Sequence, residues 1–126
     1  MICALQPVRL AIDRNTLLRY AELSNDYNPI HVDPEFAAST PLGGIIAHGT
    51  LSLNLLLEAI ERTFGRPTDS AHELDIRFRA PVREGDLVEA GGAQRADGDF
   101  DVWVRNQHGE AVIEGIATID MTAIEP

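Results

Sequence analysis

Between Thr50 and Phe64 the apolar residues Leu51, Leu53, Leu55, Leu56, Leu57, Ala59, Ile60 and Phe64 cover far more of a helix than one stripe. A surface helix needs only a single apolar band, so this pattern predicts a helix buried on most sides. Glu58 and Arg62, four apart, mark its wetter end, and Gly65 followed by Pro67 is a stop signal. Something else in the chain must wrap such a helix.

The C-terminal half supplies the wrapping. From Ala71 onward the apolar period changes from helical to two, with Leu74, Ile76, Phe78 and Ala80 alternating against Asp75, Arg77 and Arg79. Further strands are predicted over Leu87–Arg95, Phe100–Arg105 and Ala111–Met121. They are separated by turns at Arg83–Asp86, Asp97–Gly98 and Gln107–Gly109. Gly91-Gly92 suggests a bulge or a sharp bend that lets the sheet curl. The expected fold class is α+β, a long buried helix against a curved, largely antiparallel sheet.

Upstream, Val8–Asp13 reads as a short strand, and Asn15 or Asp13 can cap a helix over Arg14–Leu23 whose stripe is Leu17, Leu18, Tyr20, Ala21 and Leu23. Ser24 to Pro29 is dense in turn formers, and Pro29 biases Asn28 away from the helical region. Pro34 opens a short helix running to Ser39, which Pro41 and Gly43-Gly44 end. No repeat, low-complexity segment or linker divides the 126 residues, so one domain over residues 1–126 is expected.

Charge and composition remove several function classes. A formal net charge of −10 lacks the basic footprint of a nucleic-acid binder. All ten basic residues are Arg, so no lysine can form a Schiff base or act as a base. The single Cys3 has no internal disulfide partner and no basic helper to make it a nucleophile. No apolar run approaches the ~20 residues that span a bilayer, and the N-terminus has no apolar signal core. No membrane association and a cytoplasmic location are the expectations.

Asp26, Asn28 and His31 place a carboxylate, a carboxamide and an imidazole in one Pro-stiffened loop. A carboxylate with a reference pKa near ~3.9 beside an imidazole near ~6.5 can activate and steer a water. The bland alternative is a loop in which Asp26 and Asn28 satisfy backbone groups and His31 is a partly buried core residue. The segment Ile45-Ile46-Ala47-His48-Gly49-Thr50 adds weight to the chemical reading. It opens the buried helix, whose unpaired N–H groups and positive dipole end can stabilise an oxyanion, and Gly49 permits close approach to that backbone.

The pattern Tyr20-Ala-x-x-Ser24-x-Asp26-x-Asn28-Pro29-Ile30-His31-x-Asp33, followed by Ile46-Ala47-His48-Gly49, closely resembles the MaoC-like, R-specific enoyl-thioester hydratase family. The likeness extends from about Val8 to Met121. It implies a single hot-dog domain and the reversible addition of water across a trans-2-enoyl thioester, giving an (R)-3-hydroxyacyl thioester. By position, Asp26 and His31 are the implied catalytic pair, Asn28 orients them, and the Gly49 backbone N–H polarises the thioester carbonyl. Tyr27, His48, Arg77 and Arg79 are the candidate substrate contacts, with His48 shaping the helix start rather than moving protons.

The implied substrate is an acyl-CoA or acyl-carrier-protein thioester, with no metal and no cofactor beyond that carrier. A homodimer or a dimer of dimers is expected, because a long edge strand left unpaired is a liability. In that family the residue before the catalytic Asp is usually Gly, and here it is Asn25, the non-Gly type most tolerant of left-handed backbone. Three other readings stay open: a hot-dog thioesterase, a non-catalytic acyl-binding subunit, and an iron site built from His31 and Asp33 with His72 or His108.

Overall fold

The computed structural model describes residues 3–65 and 72–119. Its elements are β1 (Val8–Ala11), α1 (Arg14–Ser24), α2 (Pro29–Val32), α3 (Pro34–Ala38), α4 (Gly49–Phe64), β2 (His72–Phe78), β3 (Leu87–Gln94), β4 (Phe100–Arg105) and β5 (Ala111–Ile119). All five strands join one antiparallel sheet in the order β1-β3-β4-β5-β2. Consecutive β3, β4 and β5 form a meander through Gly98 and Gly109, both at positive φ. The long excursion through all four helices carries the chain from one sheet edge to the other.

Helix α4 lies against the inner face of that sheet and touches β1, β3, β4 and β5. Leu51, Leu55, Leu56, Ala59, Ile60 and Phe64 are its buried apolar residues. They meet Val88, Ala90, Phe100, Val102, Val104, Ile113 and Ala117 from the strands in one continuous core. Phe64 packs edge-to-face on Phe100, with centroids 5.5 Å apart. The expectation of a helix buried on most sides is met only in part. Leu53 and Leu57 are half-buried and Asn54, Glu58, Glu61 and Arg62 are exposed, because a single sheet wraps one side and α1 only part of the other.

Gly91 and Gly92 mark close approach rather than a bulge. Both pair with β4 in continuous register, opposite Trp103 and Val102. A Cβ on Gly91 would stand 2.9 Å from Trp103 Nε1, and one on Gly92 2.7 Å from the Asp101 carbonyl. The register shift lies instead between Val104 and Arg105, where β4 meets β5. The Pro67 stop signal and the Asp120–Met121 end of the last expected strand fall outside the described residues.

Candidate active site

Three short pieces of backbone build the site. Helix α1 starts on Asp13, whose side chain accepts from the Thr16 N–H at 2.8 Å. It ends on Asn25 at φ 54° and ψ 38°. The Asn25 N–H reaches the Glu22 carbonyl at 3.4 Å and the Asp26 N–H reaches the Ala21 carbonyl at 3.0 Å, the paired bonds of a Schellman termination. Asp26 is thus delivered by the end of a helix rather than by a free loop.

Asn28 then ties Asp26 to His31. Its N–H donates to Asp26 Oδ1 at 3.2 Å, and its own Oδ1 caps α2 by accepting from Ile30 N–H at 3.2 Å. Its carbonyl accepts from the His31 N–H at 2.9 Å. His31 therefore sits on a helical turn, α2, where the sequence predicts loop; Pro29 at the first helical position makes that turn possible.

The third piece is the strand-like run before α4. Ile46 N–H donates to the Ile30 carbonyl at 3.2 Å, and Ala47 N–H to the Val82 carbonyl at 2.7 Å. The Ile46 carbonyl accepts from His31 Nδ1 at 2.8 Å. A carbonyl only accepts, so His31 Nδ1 carries a proton, and in the neutral ring the lone pair then lies on Nε2. His48 Nε2 likewise donates to the Asp26 backbone carbonyl at 2.9 Å. His48 is 3% exposed and its ring stacks on His31 with centroids 3.9 Å apart, and Tyr20 meets it in an edge contact with centroids 5.0 Å apart. Its Nδ1 has no hydrogen-bond partner, at a desolvation penalty of about 1–3 kcal/mol.

One polar atom each from Asp26, His31 and His48 lies within 4.8 Å of the others. As ligands for a shared ion they are poorly aimed. Imidazole lone pairs lie in the ring plane, whereas two rings stacked at 3.9 Å and 25° would hold a shared ion well out of both planes. The iron set of the sequence reading is not assembled among the described residues. Asp33 Oδ1 caps α3 through the Glu35 and Phe36 N–H groups, His108 sits in the β4–β5 turn, and the His72 side chain lies outside the described residues.

His31, His48 and Gly49 line a groove of about 410 Å³ with Ile46, Ser52, Phe78, Arg79, Pro81 and Val82. As the first residue of α4, Gly49 has an N–H with no intrahelical acceptor. A Cβ there would meet Phe78 Cε1 at 3.3 Å, so Gly keeps that backbone open beneath the ring. Arg79 lines the groove while bonded to Glu114 at 2.6 Å. Arg77 lies on the outward sheet face, in the depression around Trp103, and Tyr27 is 55% exposed outside the groove lining. Among the lining residues that sequence reasoning did not single out are Ser52, one turn after Gly49 on the same face of α4, and Phe78, which ends β2.

A long helix wrapped by a five-stranded antiparallel sheet, with polar chemistry gathered at the helix start, defines a hot-dog fold protein. The description "MaoC like domain" matches residues 4–115, and the chain belongs to that family. It is 38% identical over 78 residues to the 3-hydroxybutyryl-CoA dehydratase of Methylorubrum extorquens, covering 62% of this chain and 50% of the relative. It is 34% identical over 79 residues to the (R)-specific enoyl-CoA hydratase of Rhodospirillum rubrum, covering 63% and 55%. The chain thus spans about half the length of the curated relatives it matches. Among solved structures, the R-hydratase PhaJ1 of Pseudomonas aeruginosa superposes with a TM-score of 0.74 at 27% identity, over 93% of this chain and 79% of that one.

Proposed function

We propose that the protein hydrates a trans-2-enoyl thioester to an (R)-3-hydroxyacyl thioester, or runs the reverse dehydration, with one water held between Asp26 and His31. The observation that carries this reading is the convergence of the Asp26 and His31 polar atoms within 4.8 Å, beside the start of α4. Such a span suits one bridging water. The free Nε2 lone pair of His31 takes a proton from that water, held also by the Asp26 carboxylate. The resulting hydroxide adds to the β carbon, and the electron pair of the double bond moves onto the thioester oxygen. The Gly49 N–H and the positive end of α4 stabilise that oxygen as an enolate. Collapse of the enolate takes one proton at the α carbon from the Asp26/His31 pair, which returns to its starting state.

The only group carried is the CoA or phosphopantetheine arm of the substrate itself. Arg79, at the groove rim, is the candidate for its phosphates, with Arg77 and Tyr27 further out. A second copy of the chain completes the molecule. β2 pairs only with β5, and its far edge is open among the described residues, with Leu74 and Ile76 half-buried and Phe78 56% exposed.

The test follows loss of enoyl absorbance over a panel of trans-2-enoyl-CoA esters with wild type, Asp26→Asn and His31→Ala. Wild-type hydration with losses of about 100-fold or more in each variant is expected. If wild type hydrates none of the panel, or both variants remain fully active, the reading fails. Release of free thiol from a saturated acyl-CoA would instead favour a thioesterase.

A further inference from the structure

We infer that His48 is the positioning residue of this site, holding Asp26 through its backbone and His31 through its ring. The inference rests on the proposed hydration chemistry and goes beyond it by giving His48 a role separate from substrate contact. Three observations converge on this side chain. Its Nε2–H donates to the Asp26 carbonyl at 2.9 Å across 22 residues of sequence. Its ring stacks on His31 at 3.9 Å and meets Tyr20 in an edge contact at 5.0 Å, Tyr20 itself being bonded through its hydroxyl to Thr50 at 2.8 Å. It is also the residue immediately before Gly49, with extended backbone at φ −61° and ψ 135° and no side-chain bond capping α4.

Those three features have different chemical requirements, and imidazole meets all of them. The bond to Asp26 needs an N–H donor, the contact with His31 needs a flat aromatic face, and a buried position touching both Tyr20 and His31 admits a small ring. An ordinary helix cap would be Ser, Thr, Asp or Asn with its oxygen on the first turn. Here the capping opportunity is left unused and the ring nitrogen is turned back to Asp26 instead. With Nε2 committed as donor, Nδ1 is bare and has no partner, which is the expected cost of orienting the ring for its other contacts.

Kinetics of His48→Phe and His48→Gln on trans-2-butenoyl-CoA separate this role from simple support of the fold. His48→Phe keeps a ring for the stack and loses the donor. Its kcat should fall about 100-fold, as expected for a small displacement of a catalytic group, while KM moves less than about threefold. His48→Gln, which retains an N–H donor for Asp26 but loses the ring face for His31, should recover part of that kcat. In an Asp26→Asn background, His48→Phe should cost nothing further, because it acts through Asp26. Wild-type kcat in His48→Phe, a Gln variant no better than the Phe variant, or a full additional loss on top of Asp26→Asn overturns the inference.

A second measurement needs neither activity nor a variant that folds well. Long-range proton–nitrogen NMR of the wild-type histidines should find His48 protonated on Nε2 and His31 on Nδ1. His48 protonated on Nδ1 alone breaks the bond to Asp26 and overturns the inference. If wild type hydrates no enoyl thioester, the proposed function fails, and the tautomers still decide whether His48 holds Asp26.

Discussion

Asn25 sits at φ 54° and is the one non-Gly residue at positive φ among those described. Left-handed backbone costs most L-residues about 1–2 kcal/mol, with Gly exempt and Asn close behind. Asn25→Ala should therefore lower unfolding free energy by about 1 kcal/mol, and Asn25→Gly should change it by less than about 0.5 kcal/mol. Denaturant titration of both variants checks this; an Ala variant as stable as wild type would show that the termination of α1 does not depend on that conformation. The same residue explains how far the site can be read from sequence. Asp26, Asn28, His31 and Gly49 stand out by residue type and spacing alone. The stack of His31 on His48 does not, because no local rule brings residues 17 apart into face contact.

Among the elements, α1 and β2 carry the clearest consequences. Asp13 is exposed, and its backbone hydrogen bond from Thr16 holds its carboxyl below the ordinary carboxylate value of 3.8. A depressed folded-state pKa stabilises above the unfolded value and loses that contribution as pH falls through the folded one. Asp13→Ala should thus lower the Tm at pH 7, and the gap to wild type should close as pH drops below about 3.8; a gap constant from pH 7 to 2.5 would remove the charge from the explanation. Gly115 tests the sheet. A Cβ there would stand 2.1 Å from the Asp75 carbonyl and 2.6 Å from Ile76 Cα, both backbone. Gly115→Ala should destabilise by about 3 kcal/mol by forcing β2 off β5, read by chemical denaturation. Strand positions were legible because period two survives in β4 and in the first half of β3, where buried and open residues alternate. The short helix α2 was not, since four residues carry no measurable period and its cap is made by Asn28.

For the whole molecule, the proposed second copy predicts a mass of twice 13.8 kDa, or a higher even multiple, by light scattering. A sharp monomer mass across working concentrations would refute it. Substituting Ile76 by Arg, on the open edge strand, should shift the distribution toward monomer. By itself the sequence indicated that a long apolar helix must be wrapped by strands, singled out Asp26, Asn28, His31 and Gly49 as candidate chemical residues, and carried the resemblance to the MaoC-like family. The helix and strands follow from composition and period, and the candidate residues and the resemblance from the motif between Tyr20 and Gly49. The tertiary structure alone decided that Gly91 and Gly92 yield space to Trp103 and Asp101, that Arg79 lines both the groove and the outward depression whereas Arg77 lines only the latter, and that His48 binds the Asp26 carbonyl. Each of these depends on residues apart in sequence being brought together by strand pairing or by the docking of the segment before α4, and a local pattern carries no record of such distances.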